Sequence, residues 1–267
     1  MKTILLLITL IFAVNLQFVM AQGAAVARSI RSIVTDESTE AIPSKYTKPM
    51  ASRPGSSTDP KGQEVVLDDL VVFEAFEKHQ EWHNALVVVD WTGSMYQYGA
   101  QVLRWHQLNM KKKVLKHMVL FNDGDDNLHR RSPKRIGNTG GIYHTNPNNL
   151  EAVLSTIEKS VDNGNGAECE ENDLEAVLAA QQTYEDYNYL ILIADSKSWI
   201  RDMVLLDQVN VPVHIILCDK GPYIEDYLKL AKKTGGSMIS RFDEIDFGLK
   251  GAVTSAGEFV FGGKTYR

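Results

Sequence analysis

The chain has 267 residues, a formal net charge of −6, 44% hydrophobic residues and two cysteines. The mild acidity provides no basic face for nucleic acid, and two cysteines give neither a disulfide framework nor Cys/His zinc spacing. Roughly 200 residues follow the N-terminal stretches, enough for one well-buried α/β domain and too few for two.

Met1-Lys2 is followed by apolar residues from Ile4 to Val14 and by the small-residue site Val19-Met20-Ala21. This predicts a secretory signal over 1–21 and an exported protein, periplasmic, secreted or at the cell surface. The apolar run is short for a bilayer span, and no membrane span is expected in the mature chain. Residues 22–63 are poor in large apolar residues, rich in Ser, Thr, Pro, Lys and Gly, and contain Arg53-Pro54-Gly55-Ser56-Ser57 and Asp59-Pro60-Lys61-Gly62. Such a segment cannot bury enough surface to order itself and reads as a flexible linker. The domain is expected over 64–257, with a short tail over 258–267.

Residues 67–76 suit either a lead-in strand or a short helix. Ala85-Leu86-Val87-Val88-Val89 is an unbroken, mostly β-branched run, as in a strand buried on both faces at the centre of a parallel sheet. It ends at Asp90 and passes through Thr92, Gly93 and Ser94 into a predicted helix over 96–111, with Tyr98, Val102, Trp105 and Leu108 as its apolar stripe. Asp90, Thr92 and Ser94 then stand on a strand-to-helix loop at a strand's carboxyl end, where open α/β sheets place ligands. Three oxygen-bearing side chains at alternate positions can converge on one hard cation. His106 reads as an ordinary helix residue.

A second strand is expected over 117–121. The following Asn122-Asp123-Gly124-Asp125-Asp126-Asn127 lacks the Gly and Glu spacing of an EF-hand and reads as a solvated turn. A return strand at 142–144 would form an antiparallel edge. Asn148 or Asn149 caps a helix running to Val161, with Leu150, Val153, Leu154, Ile157 and Val161 as its stripe. Gly164-Asn165-Gly166-Ala167-Glu168-Cys169-Glu170-Glu171-Asn172 leads into a helix over 173–183. Tyr189 to Ala194 is another buried strand, and it too ends in an acid, Asp195. A strand over 211–217 carries His214, read as a hydrogen-bonded core histidine. A helix over 224–233, a strand over 237–240 and a closing helix over 245–254 complete the domain. Cys169 and Cys218 fall at one end of the sheet, where a disulfide and two buried thiols are equally open.

Asp90-Trp91-Thr92-Gly93-Ser94 resembles the Asp-x-Ser-x-Ser signature of von Willebrand factor A (VWA) domains, with Thr92 in place of the first Ser. Gly164 to Asn172 resembles that family's Gly-Gly-Gly-Asp-x-Pro-Glu-Asn loop, with Glu168 at the Asp position. Ala231-Lys232-Lys233-Thr234-Gly235-Gly236 is similar to the family's turn before its last strand. The resemblance implies a doubly wound, mostly parallel α/β sheet with one antiparallel edge strand and helices on both faces. It further implies a metal-ion-dependent adhesion site built from Asp90, Thr92, Ser94, Glu168 and Asp195. The cation would be divalent, Mg²⁺ first and Mn²⁺ or Ca²⁺ otherwise; because Glu is one methylene longer than Asp, Glu168 is open to acting directly, through water or not at all, with the water-mediated role favoured. The implied function is a non-enzymatic, exported binding module whose protein partner offers a carboxylate to the metal.

Two alternatives stand beside this reading. One is a metal-free scaffold with the same fold. The other is a Mg²⁺-dependent phosphohydrolase, which the sequence disfavours because the second position after Asp90 is Thr92 rather than an acid able to transfer protons. No nucleophile–base motif and no phosphate loop is present in the sequence.

Overall fold

The computed structural model describes residues 70–123, 135–163, 170–219 and 221–267. The expected signal and linker, the Asp/Gly-rich stretch beyond Asp123, and the Glu168 and Cys169 positions lie outside the described residues.

In chain order the elements are α1 (Val71–Lys78), β1 (Ala85–Asp90), α2 (Tyr96–Asn109), β2 (Leu115–Phe121), β3 (Ile142–Thr145) and α3 (Leu150–Asp162). There follow β4 (Glu170–Glu171), α4 (Asp173–Thr183), β5 (Tyr189–Ala194), β6 (Trp199–Ile200) and β7 (Val213–Leu217). The chain closes with α5 (Ile224–Thr234), β8 (Ser237–Ser240), β9 (Glu244–Asp246), β10 (Phe259–Phe261) and β11 (Lys264–Tyr266). Among the described residues, no helix is long and apolar enough to cross a membrane.

Seven strands form one sheet in the order β3-β2-β1-β5-β7-β8-β9. The five central strands are parallel, and both edge strands, β3 and β9, are antiparallel to their neighbours. The fold is thus a doubly wound α/β sheet. The expected antiparallel edge is β3, and β9 adds a second one. Every residue of β1 is buried. Its side chains alternate between two cores, as the pleat requires. Val87 and Val89 join α1, α2 and α3 on one face, while Leu86 and Val88 join α4, α5 and the β10–β11 hairpin on the other. Burying such a side chain contributes about 1.5–3 kcal/mol, which is why an unbroken apolar run settles at the sheet's centre.

Chain reversal occurs beside β1. From β1 the order runs outward to β2 and β3 on one side, and to β5, β7 and β8 on the other. The carboxyl ends of β1 and β5 thus lie at the point of reversal, the position where open α/β sheets place their ligands.

Of the two readings open for the lead-in, strand or short helix, residues 71–78 take the helix, with Val72, Phe73, Ala75 and Phe76 buried. Other elements differ from the sequence expectations. In α2, Tyr98, Val102 and Trp105 are buried, but Leu108 is 44% exposed. Asn109 takes the next inward position instead, donating from Nδ2 to the Trp105 carbonyl at 2.9 Å. His106 is buried rather than ordinary, its Nε2 bonded to the Pro147 carbonyl at 2.5 Å. The expected helix over 245–254 is absent: Glu244–Asp246 is strand and the rest is turns, with Gly251 at φ 92°. The last residues are not a loose tail. They form the β10–β11 hairpin, which buries Phe259 and Phe261.

Candidate functional site

Three parallel neighbours end close together, each followed by a polar residue. β1 ends in Asp90, β5 is followed by Asp195, and β2 runs into Asn122 and Asp123. All four of these residues are at most 1% exposed.

The first loop is held by its own backbone and by Trp91. Asp90 Oδ1 accepts the Thr92 N–H at 2.8 Å, a local turn that Asp favours. Trp91 donates its N–H to the Phe121 carbonyl at 2.7 Å and buries its ring in the α1–α3 core. The ring lies so close to α2 that a Cβ on Gly99 would meet it at 2.4 Å. Anchored in this way, the loop brings the Thr92 and Ser94 hydroxyls to 3.3 Å from each other. Gly93 is exposed and Ser94 half-buried, so the loop reaches the surface.

The second loop repeats the device. Asp195 Oδ1 accepts the Lys197 N–H at 2.9 Å. Behind it, Ser196 Oγ accepts the Gly221 N–H at 2.8 Å and its carbonyl accepts the Tyr223 N–H at 3.2 Å. A Cβ on Gly221 would lie 1.9 Å from the Ser196 carbonyl oxygen, so this close approach requires glycine. In both loops the inner carboxylate oxygen is used by the backbone. The outer oxygens, Asp90 Oδ2 and Asp195 Oδ2, are buried without a hydrogen-bond partner.

The wall between β2 and α4 is also acidic. Asp123 Oδ1 accepts the Asn172 N–H at 2.9 Å. Glu171 is 7% exposed and Asp173 fully buried, with Tyr227 donating its hydroxyl to Asp173 Oδ2 at 3.2 Å. Asp202 accepts the Leu174 and Glu175 N–H groups at 3.3 and 2.7 Å and so caps α4. Glu175 in turn accepts the Thr139 N–H at 2.9 Å and also the Gly137 N–H, fastening residues 137–139 to α4. Arg201 donates to Thr139 Oγ1 at 3.1 Å and lies 3.5 Å from Glu170.

These acids raise one another. Burial, then Asp123 and Asp195, push the Asp90 carboxyl well above the usual range. Burial, then Asp90, Asp123 and Asp173, push Glu171 up to about 12. Burial, then Asp90, Asp202 and Asp123, raise Asp173 strongly. Asp202 is pushed up to about 7 by burial, against the pull of its two N–H donors. A buried group of this kind must take up protons or gather around a cation, because isolated buried charge costs several kcal/mol.

The structure places Asp90, Thr92 and Ser94 on one loop and Asp195 just past the adjacent strand β5, while Glu168 lies outside the described residues. It also corrects the reading of Asn122-Asp123 as a solvated turn, since both are buried at the site. The overlooked signal was positional: β2 runs into Asn122-Asp123 at the same end of the sheet where β1 and β5 meet their aspartates. Glu171 and Asp173 were also missed, because acids at a helix start ordinarily face solvent and favour the dipole. Cys218 is buried just past β7 and donates its N–H to the Ala194 carbonyl at 2.8 Å, next to Asp195. Among the described residues, no three Asp, Glu, His or Cys side chains converge closely enough to hold an ion. Comparison of the chain with protein-family models, curated proteins and solved structures gave no match.

Proposed function

We propose that this chain is an exported recognition module of VWA type that binds a protein partner through a divalent cation. The observation carrying the proposal is the pair of orphaned, buried oxygens, Asp90 Oδ2 and Asp195 Oδ2, at the ends of adjacent central strands. With the Thr92 and Ser94 hydroxyls they make an all-oxygen donor set of two carboxylates and two neutral groups. That set fits a small hard cation, Mg²⁺ first and Mn²⁺ or Ca²⁺ next. Such a set does not need three acids at one point.

Asp90, Thr92, Ser94 and Asp195 would hold the ion, with Glu168 expected to reach it through water. Two anionic donors leave a divalent ion electron-poor, and its chemistry is then that of a Lewis acid for a carboxylate on the partner. The chain's own part is to fix the donors: the Thr92 and Lys197 N–H groups orient the two aspartates, and the buried Trp91 ring anchors the loop that carries Asp90, Thr92 and Ser94. Nothing in this arrangement supplies a nucleophile with a base, so the reading is binding rather than catalysis. Export rests on the sequence of residues 1–21 alone.

Calorimetric titration with Mg²⁺ and Mn²⁺ tests the proposal. One site is expected in the wild type and none in Asp90→Ala. Identical titrations of the two proteins would overturn it.

A further inference from the structure

Asp123 differs from the other acids of the site in its backbone. It sits at φ 57°, in the left-handed region, one of three non-glycine residues placed there among those described. Asp and Asn tolerate that region better than most residues, but occupying it still costs free energy and persists only where surrounding contacts impose it. Three contacts do so here. Asp123 Oδ1 accepts the Asn172 N–H across 49 residues of sequence, at 2.9 Å and fully buried. Just before it, the Asn122 N–H is bound to the Gly141 carbonyl at 3.0 Å, and Asn122 Nδ2 donates to the Ser160 carbonyl at 2.9 Å.

The bond to Asn172 ties the segment at 170–172 to Asp123, just past the carboxyl end of β2. On its other side the segment is fixed by the Arg201 N–H, which donates to the Glu171 carbonyl at 2.9 Å, and by the β4–β6 pairing of Glu171 with Ile200. Asn172 Oδ1 accepts the Thr139 hydroxyl at 3.3 Å. Held from both sides, Glu171 is 7% exposed and its Oε2 is buried without a hydrogen-bond partner. After burial, Asp90, Asp123 and Asp173 all raise its carboxyl, and the Asp123 side chain also reaches it as a hydrogen-bonding neighbour.

We infer that Asp123 is the positioning residue of the cation site: by accepting the Asn172 N–H from a left-handed backbone, it holds the acidic segment at 170–172 against Asp90. This inference rests on the cation reading proposed above. Asp123 does not need to touch the ion. Its role is to set where the neighbouring segment stands, as groups behind a metal's direct ligands commonly do, and loss of such a group typically costs roughly 10- to 100-fold in metal affinity.

Two variants separate the acceptor from the charge and from the backbone. Asp123→Asn keeps an oxygen acceptor and suits the left-handed region, but removes the charge. Asp123→Gly adopts that region freely and removes the acceptor. The experiment pairs Mn²⁺ calorimetry with hydrogen exchange of the Asn172 amide in the full chain. Asp123→Gly should weaken Mn²⁺ binding by about tenfold and speed Asn172 exchange, while Asp123→Asn should leave both close to wild type. Wild-type affinity in Asp123→Gly, or equal losses in the two variants, would overturn the inference. A wild type that binds no Mn²⁺ would overturn the cation reading itself, and the inference with it.

Discussion

Replacing Asp90 by Asn should stabilise the protein while removing its cation site. The asparagine keeps the oxygen that accepts the Thr92 N–H. It replaces the orphaned oxygen, on a carboxyl that burial and the neighbouring Asp123 and Asp195 push well above the usual range, with an amide that can donate toward those acids. A buried, unsatisfied polar group costs about 1–3 kcal/mol. For a domain of this size, 1 kcal/mol moves Tm by roughly 2–4 °C, so Asp90→Asn should melt about 5 °C above wild type in EDTA. The order should then reverse with metal. At a hundredfold excess of Mg²⁺ over Kd, a cation that binds only the folded wild type adds about 2.7 kcal/mol, or about 8 °C, and adds nothing to the variant. Thermal unfolding followed by circular dichroism, in EDTA and in excess Mg²⁺, gives all four values. A variant that melts below wild type in EDTA, or that gains as much from Mg²⁺, would refute the reasoning.

Three further outcomes follow from the same structure. Burial pushes Asp202 up to about 7, so the folded protein binds this proton more tightly; with Asp90, Glu171 and Asp173 also raised, stability in EDTA should be greatest in mild acid and fall by at least about 1.4 kcal/mol per unit, the share of one such group, as pH rises between about 4 and 7, read as urea midpoints. A flat or rising profile there would contradict the buried acid cluster. Gly99→Ala places a Cβ 2.4 Å from the Trp91 ring and should cost about 1–3 kcal/mol while weakening Mg²⁺ binding, because the ring that anchors the Asp90 loop must move; unchanged urea midpoint and affinity would show the anchor to be unnecessary. No turnover of a generic phosphate ester should be detectable with Mg²⁺, and turnover that disappears in Asp90→Asn would restore the phosphohydrolase reading.

The parts of the fold legible in the sequence were those where one physical signal dominated. The runs Ala85 to Val89 and Tyr189 to Ala194 have no charged residue with which to face water, so central strands were the one arrangement open to them, and their terminal aspartates had to fall at the sheet's carboxyl end. Helix α3 was legible from its stripe and from Asn149, whose side chain does accept the Ala152 N–H at 3.1 Å. Failures came where local and tertiary signals competed. Over 245–254 the apolar spacing suited a helix, but strand pairing of Met238 with Ile245 and a left-handed Gly251 prevailed. The β10–β11 hairpin carried a readable signal in Phe259-Val260-Phe261, whose side chains alternate between buried and exposed, and in Gly262-Gly263, whose φ values of 57° and 72° suit the favoured two-residue turn. Asp123 and Glu171 were hidden for a different reason. Acid-rich sequence ordinarily faces solvent, and only the tertiary fold turns these two inward.

The central claim is that a divalent cation sits between the ends of β1 and β5. Anomalous diffraction from crystals of the wild type grown with Mn²⁺ tests this directly. A single strong anomalous peak is expected within coordination distance of Asp90 Oδ2 and Asp195 Oδ2, beside the Thr92 and Ser94 hydroxyls. No peak there at saturating Mn²⁺, or a peak held only by other residues, would contradict it.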